Sequence, residues 1–343
     1  MREQRASCVA SSGRVDWDRD LTTERDTVQA MTATMARRGP DAGDVWLSPR
    51  AALGHRRLAV IDIEGGAQPM IALVPEPVVL TYSGEVYNFR ELRSELEALG
   101  HRFRTRSDTE VVLHAYLEWG ADCVQHLNGM FAFAIWDDRW QELLLARDRL
   151  GIKPLYYAEQ GSGLLFGSEP KALLANPLFQ PEIDAEGLAD LLVRTMARRP
   201  CNAIFRGLRE VRPGHIVQVS RDGVRESAYW RLTSRPHTDD LPTTVATLRG
   251  LLEDIVDRQL ISDVPLCTLL SGGLDSSAIT ALAAGGLERQ GRGRVVTFAV
   301  DFTGSEHDFQ PSAIRTATRH TCRRWPSMSM RGTPISCSIR RTY

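Results

Sequence analysis

The residues that most clearly point to chemistry form one run, Ser271-Gly272-Gly273-Leu274-Asp275-Ser276-Ser277. An apolar segment of strand length, 264–270, precedes the run, and a small-residue helical segment, 278–284, follows it up to Gly285 and Gly286. Glycines let backbone N–H groups approach an anion, and a helix N-terminus adds positive potential. The serine hydroxyls are further donors, and Asp275 is suited to holding a metal ion or fixing the loop. The alternative is an ordinary glycine-containing turn, but seven such residues between a strand and a helix favour a nucleotide site.

No lysine follows the glycines, so this run is not a Walker P-loop. It resembles the pyrophosphatase-type loop of enzymes that adenylate a substrate with ATP and release pyrophosphate, a group that includes asparagine synthetases. The resemblance implies ATP and Mg²⁺ as cofactors. It implies an ATP site formed by Leu269, Ser271, Gly272, Gly273, Asp275, Ser276, Ser277 and Val300. Val300 ends the next predicted strand, 295–300, and the strand–helix–strand order places the nucleotide at the carboxyl ends of parallel strands.

Composition indicates a soluble globular protein. The chain has 343 residues, of which 43% are hydrophobic and 25% charged, so two domains are expected. A net charge of -1 gives no reason to expect nucleic acid or an anionic membrane as a partner. No apolar run reaches membrane-spanning length and no signal peptide is evident, so a cytoplasmic location is expected. The six cysteines have neither metal-site nor disulfide-framework spacing, so no metal ligands are assigned from them.

The first two thirds of the chain alternate short strands with a few helices. Helices are predicted over 20–35, over 89–99 with Gly100 at the C-terminal end, and from a cap at 107–110 through Trp119. Strands are predicted over 53–62, 78–82, 131–136, 142–147, 154–157, 164–166 and 216–219. Many strands with few intervening helices favour an α+β sandwich.

Six short motifs carry a firm resemblance to glutamine-hydrolysing asparagine synthetases. They are Arg37-x-Gly39-Pro40-Asp41, Gly54-His55-Arg56-Arg57-Leu58, Gly84-Glu85-Val86-Tyr87-Asn88, Ser107-Asp108-Thr109-Glu110, Gly129-Met130-Phe131-Ala132-Phe133 and Arg147-Asp148-Arg149-Leu150-Gly151. The resemblance implies an α+β N-terminal-nucleophile (Ntn) glutaminase sandwich. The start of an α/β synthetase domain of the adenine-nucleotide alpha-hydrolase-like (PP-loop) class would follow it.

The resemblance also implies which residues bind glutamine. The implied glutamine-binding residues are Arg57, Leu58, Asp62, Gly84, Glu85 and Asp108. Arg57 would grip the substrate carboxylate, and Glu85 with Asp108 would hold its α-amino group, as suits a zwitterion. Gly84 would offer an oxyanion N–H. Ser83 stands where the family usually has an asparagine, so its hydroxyl would donate a single hydrogen bond there.

The nucleophile implied by the family is a cysteine whose own free α-amino group takes the thiol proton. Cys8 is the only cysteine near the start, yet seven residues precede it and its nitrogen is an amide. As written, Cys8 is therefore interpreted as an ordinary small residue. However, one codon choice for residues 7–12, read two bases later, encodes Met-Cys-Gly-Ile-Val, which resembles the family's start. The segment 1–14 is thus interpreted as a reading-frame artefact.

The domain boundaries follow from these patterns. A glutaminase domain is predicted over 15–232, a polar linker over 233–242 and an incomplete synthetase domain over 243–311. An amphipathic helix is predicted over 243–260, with Val245, Leu248, Leu252, Ile255 and Val256 recurring at helical spacing. The segment 312–343 lacks Asp, Glu and Lys and has no periodic apolar face, so it is interpreted as an out-of-frame tail. One strand–helix–strand unit would then leave a sheet edge uncovered.

The resemblance implies an ATP-dependent carbon–nitrogen ligase that makes asparagine from aspartate, glutamine and ATP, releasing AMP and pyrophosphate. Its partners would be these small molecules. Two alternatives stay open: a related amide-forming ligase of secondary metabolism, and a non-catalytic glutamine- or nucleotide-binding remnant. The polypeptide as written is expected to be inactive or impaired. The sequence does not determine the oligomeric state, and a homodimer stays open.

Overall fold

Two antiparallel sheets of six strands each account for most of the first part of the chain. The computed structural model describes residues 9–193, 203–271, 273–302, 328–329 and 335–341, which belong to two units, Met1–Ser234 and Arg235–Tyr343. The strands of the first unit are β1 (Ala10–Asp16), β2 (Ala42–Leu47), β3 (Ala51–Arg57), β4 (Met70–Leu73), β5 (Pro77–Val86), β6 (Gly129–Asp137), β7 (Glu142–Arg147), β8 (Tyr156–Gln160), β9 (Gly163–Gly167), β10 (Arg209–Glu210), β11 (His215–Ser220) and β12 (Gly223–Ala228). One sheet has the order β10-β8-β9-β1-β3-β2 and the other β12-β11-β7-β6-β5-β4.

The two sheets pack against each other through a shared apolar core. Val15, Leu53 and Phe166 from the first sheet contact the same buried cluster as Ala134 and Trp136 from the second. Strand β6 is buried along nearly its whole length, which explains why 131–136 reads as a continuous apolar run.

Three of the six helices described in this unit pack on the outer faces of the sheets. The six helices are α1 (Arg25–Ala33), α2 (Phe89–Ala98), α3 (Asp108–Trp119), α4 (Cys123–His126), α5 (Pro170–Leu174) and α6 (Ala185–Val193), with a 3-10 turn at Gly120–Asp122. Helices α1 and α5 pack on the first sheet, and α3 packs on β4 and β5 of the second. This helix–sheet–sheet–helix arrangement confirms the predicted α+β sandwich.

Two predicted boundaries in this unit are wrong for identifiable reasons. Helix α1 begins at Arg25 and not at Asp20, because the Asp20 carboxylate accepts from the Thr22 N–H at 2.9 Å and forms a turn. Strand β3 ends at Arg57 and not at Asp62, whose left-handed φ of 48° belongs to a turn.

The second unit contains the predicted strand–helix–strand arrangement. Its elements are α7 (Leu241–Gln259), β13 (Cys267–Leu269), α8 (Leu274–Arg289), β14 (Val296–Phe302), β15 (Met328–Ser329) and β16 (Ile335–Arg341). Strands β13 and β14 are parallel, with Leu269 opposite Phe298. The expectation of an uncovered sheet edge does not hold on the β14 side, where β16 pairs antiparallel along the whole length of β14, whereas β13 is an edge strand within the described residues. The reading-frame origin of the tail remains a prediction.

The end of α8 also differs from the prediction, because the helix continues through Gly285 and Gly286. A Cβ on Gly286 would lie 2.3 Å from Asp257 Oδ1 and 2.9 Å from Leu260 Cδ1. Gly286 therefore serves the close approach of α7 and α8 and does not terminate the helix. The glycines with positive φ are further on, Gly291 at 64° and Gly293 at 87°.

Most of the predicted apolar stripe of α7 is exposed. Val245 and Leu248 are 51% and 54% exposed, whereas Val256 is 7% exposed and packs with Leu287 of α8. Within the described residues, the buried core of this unit is therefore much smaller than that of the first. None of the described helices combines the length and apolar composition needed to cross a bilayer.

Candidate active site

A pocket in the first unit brings together most of the residues singled out for glutamine. It lies where β3 and β5 end and α3 begins. Its lining residues are Val9, Arg57, Leu58, Val60, Ile61, Gly66, Gln68, Tyr82, Gly84, Glu85, Ser107, Asp108, Thr109 and Lys153. Arg57, Leu58, Gly84, Glu85 and Asp108 are thus neighbours in space although up to 51 positions separate them in sequence.

Arg57, the last residue of β3, is one of the two cationic residues that line the pocket. Its guanidinium donates to the carbonyls of Ile63 and Asp62, each at 2.6 Å, and more weakly to Ile61 at 3.4 Å. Burial lowers the pKa of Arg57 from its ordinary value while nearby carboxylates raise it, and the group stays charged. Arginine has five N–H donors, so holding this loop still leaves donors for a ligand.

Asp62 supports the loop and is not among the pocket-lining residues. Its carboxylate accepts from the backbone N–H groups of Arg106 at 2.7 Å and Gly65 at 3.0 Å. Burial opposes ionisation, but these hydrogen bonds and the charges of Arg106 and Arg57 together outweigh it and lower the pKa of Asp62. A side chain engaged in this way shapes the pocket through the backbone that Arg57 grips.

Asp108 and Glu85 are the two carboxylates among the residues that line the pocket. Asp108 opens α3 behind its cap Ser107, and its Oδ2 accepts from the Tyr82 hydroxyl at 2.8 Å and the Val86 N–H at 3.1 Å. Burial raises the pKa of Asp108 even though these hydrogen bonds oppose it. Burial, with the charge of Asp108, also raises the pKa of Glu85. A cationic group bound beside both carboxylates would relieve this repulsion.

Ser83 and Gly84 place β5 beside the start of β1. The Ser83 hydroxyl is buried and donates to the Val9 carbonyl at 2.5 Å. At Gly84, a Cβ would lie 2.4 Å from the Met130 carbonyl oxygen, so only glycine allows this approach of β5 to β6. Cys8 lies outside the described residues, while its neighbour Val9 lines the pocket.

Two further pocket residues with polar side chains, Gln68 and Lys153, were not singled out from the sequence. Gln68 links β5 to α3 within the pocket lining. Its Oε1 accepts from the Tyr82 N–H at 2.7 Å, and its Nε2 donates to Thr109 Oγ1 at 3.4 Å. Lys153 brings a second cation to the lining. A signal for Lys153 was present, because Lys153 and Lys171 are the only lysines among 42 Lys and Arg residues.

The loop 271–277 of the second unit, which the sequence predicts to bind phosphate, is held by hydrogen bonds between its own residues. The hydroxyls of Ser271 and Ser276 lie 3.0 Å apart, and Ser276 Oγ also accepts from the Ser271 N–H at 3.2 Å. Gly273 N–H donates to Ser271 Oγ at 3.4 Å, and α8 starts at the next residue. The structure thus brings these three residues together at the helix N-terminus.

Of the other five residues predicted to bind the nucleotide, three are exposed, one lies outside the described residues and one belongs to β14. Asp275, Ser277 and Leu269 are exposed, and Gly272 lies outside the described residues. Val300 belongs to β14, two positions beyond the Phe298 that pairs with Leu269, and therefore lies at the same sheet edge as the loop. In the described part of the chain, no group of three or more His, Cys, Asp or Glu residues could hold a metal ion.

Comparison with known families decides the class of this arrangement. A family model described as a glutamine amidotransferase domain matches residues 9–230, and one described as asparagine synthase matches residues 247–324. The chain belongs to the glutamine amidotransferase family. Together with the relatives named below, the two matches confirm the resemblance to glutamine-hydrolysing asparagine synthetases that was inferred from the six motifs.

Two similar curated proteins are both named as glutamine-hydrolysing asparagine synthetases. Asparagine synthetase [glutamine-hydrolyzing] 3 of Bacillus subtilis (strain 168) is 48% identical over 305 residues, covering 89% of this chain and 50% of that protein. Asparagine synthetase B [glutamine-hydrolyzing] of Escherichia coli (strain K12) is 35% identical over 304 residues, covering 85% and 49%. The chain spans about half the length of these curated relatives. Glutamine phosphoribosylpyrophosphate amidotransferase of B. subtilis, a solved structure, matches with a TM-score of 0.48 and 19% identity over 92% of this chain and 70% of that chain.

Proposed function

We propose that the first unit binds glutamine as the amide donor of a glutamine-hydrolysing asparagine synthetase. The second unit would belong to the part that adenylates aspartate with ATP, so that ammonia from glutamine displaces AMP and pyrophosphate is released. One observation carries this proposal: Arg57 and the carboxylates of Glu85 and Asp108 line the same pocket. An amino-acid zwitterion needs a cation and an anion at opposite ends, and charge-assisted hydrogen bonds are the strong ones.

Each pocket residue then has a distinct task. Arg57 binds the substrate carboxylate, the two carboxylates bind its ammonium group, and the Gly84 N–H donates to the oxyanion. Asp62 holds the loop that Arg57 grips. Ser83 donates to Val9, so a contribution to the oxyanion would require its hydroxyl to rotate.

Replacing Glu85 by glutamine is expected to weaken glutamine binding about tenfold, because a charged partner of the ammonium group becomes neutral without a change of shape. Calorimetric titration of the full chain with glutamine measures this, and binding does not require the nucleophile. The matched control is Glu95→Gln on an exposed position of α2, which should bind like the wild type. Unchanged affinity in the Glu85 variant would contradict its role.

The nucleotide site is supported by the serine-rich turn at the start of α8. Backbone N–H groups and hydroxyls there suit phosphate oxygens. Mg²⁺ bound with a nucleotide takes most of its ligands from phosphates and water plus one or two carboxylates, and Asp275 is the carboxylate inside the loop.

A second candidate function, a glutamine-binding chain without synthetase activity, is favoured by the exposed apolar surface of α7 and α8. Leu248, Leu252 and Ile255 are between 45% and 54% exposed, and Leu274 at the start of α8 is 91% exposed. Apolar side chains left in water do not contribute to holding the loop in place.

We therefore expect weak or absent binding of Mg-ATP and no aspartate-dependent release of pyrophosphate from this chain. Calorimetric titration with Mg-ATP and a pyrophosphate assay with aspartate test both points. Tight ATP binding would mean that the loop is organised by the described elements alone. Pyrophosphate release would remove the second candidate function and support the first in full.

A further inference from the structure

The lysine in the glutamine pocket is unusual for this chain. Lys153 and Lys171 are the only lysines in the chain, and the other 40 of its 42 Lys and Arg residues are arginines. Lys153 is 8% exposed and lines the pocket, whereas the Lys171 side chain is 46% exposed and pairs with Glu169 at 2.6 Å. Lysine is among the residue types least often buried, and its compact ammonium group cannot be exchanged freely for a planar guanidinium. The place of Lys153 in the pocket lining therefore points to a specific role.

The backbone that carries Lys153 is tightly fixed. The Lys153 N–H donates to Asp148 Oδ2 at 2.9 Å, and its carbonyl accepts from Arg147 Nε at 2.8 Å. The other Asp148 oxygen accepts from the N–H groups of Leu150 at 3.1 Å and Ile152 at 2.9 Å. These hydrogen bonds close the turn between β7 and β8, so the ammonium group is presented from a preorganised loop.

Three other charged side chains and two tyrosines are relevant to Glu85. Glu85 shares the pocket lining with Asp108 at the start of α3, Lys153 of the β7–β8 turn and Tyr82 of its own strand, and Tyr87 follows directly after that strand. Arg57 completes the charged lining at the end of β3. Burial and the Asp108 charge favour the neutral form of Glu85, whereas the Lys153 charge opposes both. A protonated Glu85 could not attract a substrate ammonium group.

We propose that Lys153 is a positioning residue that keeps Glu85 ionised and thereby gives the pocket its preference for ligands with an α-ammonium group. This inference rests on the proposed function, that the pocket binds glutamine. Lys153 acts through Glu85, since its own charge would repel the ammonium group of the ligand. The indirect effect through Glu85 favours binding of the ammonium group and the direct effect of the Lys153 charge opposes it, so the two effects can be told apart by experiment.

The test compares glutamine with 4-carbamoylbutanoate, which is glutamine without its α-amino group, by calorimetric titration of the full chain from pH 5 to pH 8. The ratio of the two dissociation constants reports ammonium recognition alone. In Lys153→Met, the pH at which the preference for glutamine is half lost is expected to rise by about one unit, because a nearby opposite charge lowers the pKa of a carboxyl group by that amount or more. Lys153→Arg should restore the wild-type profile, and Lys171→Met should leave it unchanged. At pH 8 the Met variant should prefer glutamine at least as strongly as the wild type does.

The outcomes separate the inference from the function on which it rests. If the wild-type chain binds neither glutamine nor 4-carbamoylbutanoate, both the proposed function and the role of Lys153 are overturned. A wild type that prefers glutamine, with the same pH midpoint in Lys153→Met, overturns only the role of Lys153. Equal loss of affinity for both ligands at every pH also overturns it, because a merely structural role would do that. Tryptophan fluorescence checks folding, and Lys153→Gln, with the same expected shift, replaces the Met variant if that variant does not fold.

Discussion

The full chain is expected to release no glutamate from glutamine above the uncatalysed rate. In the sequence as given, Ser7 is joined to Cys8, so the nitrogen of Cys8 is an amide and cannot take the thiol proton. A free α-amino group has a pKa near about 8 and could act as the base. Without it, only a few per cent of an ordinary thiol is ionised at neutral pH, and no positioned base removes the proton during attack. The measurement is an enzyme-coupled glutamate assay on the purified chain.

A second protein that begins at Cys8 provides the decisive comparison. Activity that appears only after removal of Met1–Ser7, and that Cys8→Ser then abolishes, would identify Cys8 as the nucleophile of a processed chain. Cys123→Ala is the control, because burial raises the pKa of the Cys123 thiol to about 12 and makes it unreactive. Robust glutamate release by the untrimmed chain would contradict the prediction.

Acidification is expected to destabilise the first unit by about 3 kcal/mol at pH 4 through a single buried histidine. His55 of β3 is fully buried; its Nδ1 lies 3.0 Å from Thr81 Oγ1, and its Nε2 has no partner among the described residues. Burial, then the charges of Arg57 and Arg56, lower its pKa from 6.5 to about 3. The folded state therefore holds His55 neutral while the unfolded state binds a proton. The stabilisation is complete above pH 6.5 and is lost progressively as the pH falls towards 3.

The contribution of His55 can be separated from that of the carboxylates by a variant comparison. Denaturant unfolding of the full chain, followed by tryptophan fluorescence, reports the first unit, because six of the seven tryptophans lie between Trp17 and Trp230. His55→Gln cannot take up a proton, so its loss of stability between pH 7 and pH 4 should be smaller by about 3 kcal/mol. His126→Gln, at an exposed position, should lose as much as the wild type. An equal loss in the His55 variant would show that His55 does not control acid unfolding.

The local sequence was sufficient for the elements that carry the site. Caps, turn residues and apolar periods are short-range signals, so the start of α3 behind Ser107 and the β6–β7 hairpin were predicted correctly. The family motifs singled out Arg57, Glu85 and Asp108, and the fold brings these three to one pocket. The strand–helix–strand order around the serine-rich loop was also evident from its pattern.

Only the tertiary structure decided what each side chain contacts. Asp62 supports the loop and not the pocket, because backbone N–H groups from 65 and 106 converge on its carboxylate across the fold. Lys153 reaches the pocket from a turn whose geometry depends on Asp148, although its rarity in the sequence was a signal. Gly286 stays inside α8 because α7 packs against it, which no local pattern encodes. The sequence by itself thus determined the elements and the residue types of the site, since these depend on near neighbours. Burial, pairing and charge balance depend on contacts between distant segments, and the fold alone decided them.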